Sequence, residues 1–396
     1  MATVLFAWEL GSGLGHVARF RPIAEVLLRR GHRLVAVLRD LSRVDLVLRD
    51  LAITCLQAPI KLRPDSRREQ QSTSYADLLA IHGYTNLAEL AVLAGAWREL
   101  FAAFHSDLII IDHSPTALLA SAGMSGKRVL LGTGFACPPD VKPLPSLRPW
   151  LTRESEQGPK VEEQVTGIIS QLRTGWGQPP LERLGQLFAQ VDENFLATFA
   201  ELDPYPQRPN ATYWGAWPGE LGGVAPLWPS AAGPRVFAYL KPFPAVGALL
   251  ECMRRFPCSA VVYAPEVDRT LIERCRSPQV HFSDRPVDMA RALAECAAVI
   301  GIGNHATAAA ALLAGKPLLL FPTVLEQFLN ARNVAEVRAG MVGPSLEPEK
   351  VPMAWDAFWK SGCQQAAREF AARHADFHPT QQVERVVARI EELLNG

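Results

Sequence analysis

Short apolar runs alternate with helical stretches along this chain, and that alternation restricts it to few folds. Thr3–Trp8 reads as a buried strand and a glycine loop follows it. Val17, Phe20, Ala24, Leu27 and Leu28 then recur at the helical interval until Gly31 stops them. Residues 34–38, 107–112 and 128–131 are further strands in the same half. Strands that alternate with helices build βαβ units, which place parallel strands in one sheet and helices on its faces. In such a sheet ligands gather at the carboxyl ends of the strands, where loops and helix starts converge.

The rhythm stops and then resumes. Residues 61–74 are polar and partly basic, and 138–180 are rich in proline, glycine and tryptophan, so both read as long insertions over a binding face. Residues 203–234 collect the same residue types without periodicity and mark the boundary, set at residue 222. Beyond it 235–240, 260–263, 280–282, 298–300 and 318–321 read as strands, Val246–Arg255 as a helix and 381–394 as an amphipathic helix. An α/β architecture follows: two Rossmann-like domains, 1–222 and 223–396, facing one another across a cleft, with the C-terminal helix a candidate to return to the first domain.

Composition narrows the function. Lys and Arg number 40 and so do Asp and Glu, which gives no overall pull toward a phosphate backbone and argues against nucleic acid. Seven scattered cysteines without a C-x-x-C pair read as reduced structural thiols. No apolar run reaches the ~18 residues of a membrane span, and no secretory leader opens the chain, so the expected address is cytoplasmic.

Three clusters carry chemistry. In Gly11-Ser12-Gly13-Leu14-Gly15-His16, glycines such as Gly13 and Gly15 let the backbone approach a ligand. The sixth position of a dinucleotide fingerprint is His16 here, and histidine is the usual general base for a hydroxyl; capping the helix is its other reading. Asp112 ends the most apolar strand, so a parallel sheet brings it to the edge that holds His16. There it either orients the imidazole or caps the turn at Ser114-Pro115. The third cluster, Gly301 to Thr307, is a glycine-loosened loop that feeds a helix and suits a diphosphate. It also satisfies G-x-G-x-x-A, although Pro322 stands where a nicotinamide site carries its acid.

Other candidates read more plainly. His374 and His378 flank Asp376, yet Pro379 follows and no third ligand is apparent, so a solvated helix end is favoured over a metal site. Lys61, Arg63, Arg67 and Arg68 read as an exposed loop face. Trp150, Trp176, Trp214, Trp217 and Trp228 either line an apolar pocket or anchor loops.

Taken in order from about residue 4 to 343, four motifs resemble GT-B glycosyltransferases that use nucleotide-diphosphosugars, close in pattern to the UDP-glycosyltransferase and bacterial macrolide glycosyltransferase families. They are Gly13-Leu14-Gly15-His16-Val17 with Arg30-Gly31-His32, the strand ending in Asp112, residues 312–317, and Glu326-Gln327-Phe328-Leu329-Asn330-Ala331. The resemblance implies that His16 deprotonates an acceptor hydroxyl and that Asp112 is its partner. It implies that Gly303, Asn304, His305, Ala306 and Thr307 hold the donor diphosphate, while Glu326 and Gln327 bind hydroxyls of the transferred sugar. The donor would be a UDP- or dTDP-sugar serving as co-substrate, with no separate cofactor or metal, and transfer would invert the anomeric centre. A small-molecule or lipid-like acceptor would lie on the first domain. The family's ribose-binding acid falls near Ala310, and its early histidine near Ile302, which also suits a catalytically weakened scaffold that binds a nucleotide or small ligand.

Overall fold

The computed structural model describes residues 1–42, 44–64, 71–151, 157–205, 208–217, 219 and 222–396. The chain divides into two compact units: residues 1–219 with 379–396, and residues 220–378.

The first unit is built on β1 (Thr3–Trp8), β2 (Arg33–Leu38), β3 (Ile53–Gln57), β4 (Leu108–Asp112), β5 (Lys127–Gly132) and β6 (Glu193–Leu196), in the order β3-β2-β1-β4-β5-β6 with every pair parallel. The uninterrupted apolar runs of β1 and β4 suit strands covered on both faces. Strand order reverses between β1 and β4, so their following loops leave in opposite directions and open a crevice at the carboxyl ends. Trp8 and Asp112 are register partners there. The helix Gly15–Arg29 buries Val17, Phe20, Ile23, Ala24 and Leu27, and Phe20 stacks on Phe6 of β1 at 4.1 Å.

Assignment of 223–396 to the second domain is corrected at its end. The helix Pro379–Asn395 places Val383, Val386, Val387 and Ile390, all on one helical stripe, in the same core as Phe20, Ile23 and Leu27. Charge closes the contact. Arg30 Nη2 donates to Glu384 at 2.6 Å, His32 Nε2 lies 3.2 Å from Glu391, and Arg30 also pairs with Glu391.

The second unit holds β7 (Arg235–Tyr239), β8 (Ser259–Tyr263), β9 (Val280–Ser283), β10 (Ala298–Gly301), β11 (Leu318–Leu320) and β12 (Gly340–Val342), in the order β12-β11-β10-β7-β8-β9. This is the winding of the first unit read from the other edge. Its reversal falls at β7 and β10, where Gly301 stands opposite Tyr239 and the chain turns into the helix His305–Leu313.

One expected loop is partly helix. Within 138–180 the chain forms Gln157–Gly175, whose Glu162, Val165, Ile169 and Arg173 are buried along one stripe. Its polar members are bonded: Glu162 accepts from the Leu144 amide at 2.8 Å and Arg173 donates to Pro179 O at 2.9 Å. In the other insertion, Arg67 and Arg68 lie outside the described residues. No helix among the described residues is long and apolar enough to cross a membrane.

Candidate active site

The crevice of the first unit assembles a histidine on a carboxylate. His16 Nδ1 lies 2.9 Å from Asp112 Oδ1, and Arg19 Nη1 donates to Asp112 Oδ2 at 3.0 Å. Asp112 has no exposed surface. Burial alone pushes its carboxyl up, but His16 and Arg19 outweigh burial and hold it below the ordinary value. An ionised carboxylate only accepts, so Nδ1 carries the proton and Nε2 is the basic nitrogen. The Trp8 ring stacks on the imidazole at 5.1 Å and fixes its plane.

Neither capping role is realised. Leu14 occupies the N-cap of the first helix without a side-chain bond, and His16 faces Asp112 instead. The turn at Ser114-Pro115 is served by Glu9, which accepts from Ser114 Oγ at 3.0 Å, Thr116 N at 3.0 Å and Ala117 N at 3.3 Å. Burial still raises the Glu9 carboxyl above its ordinary value despite those bonds. Of the glycines in the loop, Gly11 makes the close approach: its φ is +80°, and a methyl there would lie 2.8 Å from His16 Nε2. Gly13, at φ +82°, faces open space, and Gly15 begins the helix.

Sequence reasoning did not single out Glu9, Arg19 or His113. Arg19 sits one turn after His16 on the same helix, and Glu9 and His113 directly follow β1 and β4, so strand-end position was the available signal. A cavity of about 480 Å³ lined by Met1, Ala2, His32, Asp107 and Glu391 lies at the amino ends of the strands, away from this pair.

In the second unit Gly303 (φ +87°) packs against the next helix, Leu325–Glu336, so tightly that a Cβ would lie 2.6 Å from Gln327 O. Asn330 Nδ2 donates to Gly303 O at 3.0 Å. Asn304 holds the N-cap position, yet its Oδ1 accepts from Gln327 Nε2 at 3.2 Å rather than from the helix. Gln327 Oε1 accepts from Thr323 N and Oγ1, both at 2.9 Å, so this amide ties two loops together. His305, Ala306 and Thr307 form the half-buried first turn, with Glu326 half-buried beside Gln327. Ala310 lies buried further along the helix.

Four tryptophans anchor loops. Trp217 donates to Arg19 O at 3.1 Å, Trp228 to Glu295 at 2.7 Å, Trp214 packs edge-on against Phe195, and Trp176 lies under Arg98. The described residues contain no group of three or more His, Cys, Asp or Glu side chains able to hold a metal ion.

No family model and no curated protein sequence matches the chain. Solved structures do. The spinosyn rhamnosyltransferase SpnG aligns over 98% of this chain and 100% of its own length, at TM-score 0.70 and 16% identity. The calicheamicin glycosyltransferase CalG4 covers 100% of this chain and 98% of its own, at TM-score 0.70 and 19% identity. The glycosyltransferase VinC, solved with dTDP, covers 98% and 100%, at TM-score 0.66 and 15% identity. These likenesses define the fold: an α/β protein of the GT-B type with two Rossmann-like units.

Proposed function

We propose that the protein is a cytoplasmic glycosyltransferase that moves a sugar from a nucleotide-diphosphate donor, a UDP- or dTDP-sugar, to a hydroxyl of a small-molecule acceptor, lipid-like ones included. The observation that carries this reading is the His16–Asp112 pair at the crevice of a GT-B fold. His16 Nε2 takes the proton of the acceptor hydroxyl while Asp112 stabilises the imidazolium. The acceptor oxygen forms a bond to the anomeric carbon as the bond from that carbon to the diphosphate breaks, in one in-line displacement that inverts the centre. The helix start from Gly303 to Thr307 meets the charge of the departing diphosphate without a metal, through its N–H groups and dipole. Glu326 and Gln327 contact the sugar hydroxyls. Support comes from the structure neighbours too: SpnG is described with thymidine diphosphate and with spinosyn aglycone, and VinC with dTDP.

The second reading, binding without turnover, rests on the apolar Ala310. One experiment separates the two. The protein is incubated with pooled nucleotide sugars and a cell extract, and new glycoconjugates are sought by mass spectrometry for wild type and His16→Ala. Products from wild type that drop by about 10²–10⁴-fold in the variant support the enzyme with His16 as base; equal rates remove His16 from that role. Tight nucleotide-sugar binding without any product supports the binding protein.

A further inference from the structure

Two imidazoles converge on Gly11. A methyl placed on Gly11 would lie 2.8 Å from His16 Nε2 and 3.1 Å from His113 Nδ1, and the two ring centroids are 5.9 Å apart. His16 has its partner in Asp112. His113 has none among the described residues: it is 7% exposed, and both of its ring nitrogens are buried without a hydrogen bond. A buried polar atom without a partner keeps its desolvation cost uncompensated. The backbone adds strain, because His113 sits at φ +47° in the left-handed region. Strain and unpaired nitrogens together at the end of a central strand mark a group kept for a ligand rather than for packing.

The surroundings state what kind of ligand. Phe135 meets the His113 ring edge-on at 5.9 Å, and Tyr75 lies 6.2 Å away with a buried hydroxyl that also lacks a partner. A charged group would lose its hydration here at high cost, which favours a neutral one as partner for the ring. Burial first, and His16 second, keep the His113 ring well below the ordinary histidine range. A neutral ring offers one N–H donor and one acceptor.

We propose that His113 orients the acceptor by hydrogen-bonding a second oxygen next to the hydroxyl that His16 deprotonates, so that the preferred acceptors are neutral molecules with two neighbouring oxygens, such as catechols and vicinal diols. This rests on His16 as the base. The 2.8 and 3.1 Å approaches to one point beside Gly11 hold His16 Nε2 and His113 Nδ1 close together, within the span that two oxygens on adjacent carbons cover with hydrogen bonds of about 2.8 Å.

The test compares catechol with phenol, and 1,2-cyclohexanediol with cyclohexanol, using the full chain and a nucleoside-diphosphate glucose. Wild type is expected to favour the diol of each pair in kcat/KM by about tenfold or more. In His113→Phe that ratio collapses toward one. His113→Asn, which tolerates the left-handed backbone and keeps a donor, restores part of it. Equal losses on both members of a pair, or a ratio untouched by His113→Phe, overturn the proposal and leave His113 as a structural ring satisfied by water. If His113→Phe does not fold, or no acceptor turns over, calorimetric binding of catechol and phenol to wild type decides: absence of a catechol preference overturns it. Failure of the base assignment is read separately, from His16→Ala turning over as fast as wild type.

Discussion

His16 Nδ1 lies 2.9 Å from the Oδ1 of a fully buried Asp112, and that single contact decides which nitrogen of the ring is basic. Arg19 occupies the other carboxylate oxygen, so Asp112 stays ionised and its bond to His16 has one polarity.

Asp112→Asn tests this directly. An amide turns its NH₂ group or its oxygen toward Nδ1 with no charge to stabilise an imidazolium, and the wrong tautomer becomes accessible. We expect kcat for sugar transfer to fall by about 10²–10⁴-fold while nucleotide-diphosphate affinity, measured by calorimetry, stays near wild type.

Arg19→Met leaves Asp112 Oδ2 buried with one partner lost. Breaking a buried pair in this way costs about 3–5 kcal/mol, readable as a shift in the denaturant midpoint. Arg19→Met with Asp112→Asn should cost less than the two single losses combined, since the stranded charge is gone. Additive losses would show that the two side chains act independently.

Acid should weaken the fold in two stages. The folded pKa of His113 is lowered, so below the ordinary histidine value near 6.5 the unfolded chain binds more protons and stability falls with pH until the folded pKa is passed. Asp112 has a lowered pKa as well, and its contribution is lost only below the ordinary carboxylate value, as pH falls through the folded pKa. Glu9 works the other way. Its raised folded pKa makes the fold gain stability as pH falls through that value toward 4.5. Thermal melts of wild type and His113→Phe from pH 7 to 3 should therefore diverge first just below pH 6.5 and run parallel once both histidine pKa values are passed.

Gly303→Ala and Gly13→Ala separate two uses of glycine. Both have positive φ, but only at Gly303 would the new methyl strike backbone, at 2.6 Å from Gln327 O. Gly13→Ala should cost about 1 kcal/mol. Gly303→Ala should cost more, about 1–3 kcal/mol in strain, and should displace the loop at the helix start, weakening dTDP binding. Unchanged dTDP affinity in a folded Gly303→Ala protein would overturn the diphosphate site proposed at this helix start.

What the sequence disclosed follows from what its signals encode. The central strands β1, β4, β7 and β10 stood out because they are covered on both faces and therefore continuously apolar. The edge strands β3, β6 and β12 were passed over: Ile53–Gln57 alternates with exposed residues, Glu193–Leu196 opens with polar ones, and Gly340–Val342 is three residues long. Within the site, the topology of a parallel sheet brought His16 and Asp112 to one edge, so the pair was legible. Arg19 and His113 were not, because a lone arginine on a helix and a histidine after an aspartate have no pattern until the register of β1 on β4 places them.

The helix Pro379–Asn395 has a consequence for how the chain is made. Its stripe of Val383, Val386, Val387 and Ile390 completes the core that Phe6 and Phe20 begin. Everything in the second unit is translated between those two events. A chain still on the ribosome can close its second sheet while the first keeps an open apolar groove. The half that carries His16 is thus the first to be synthesised and the later to be finished.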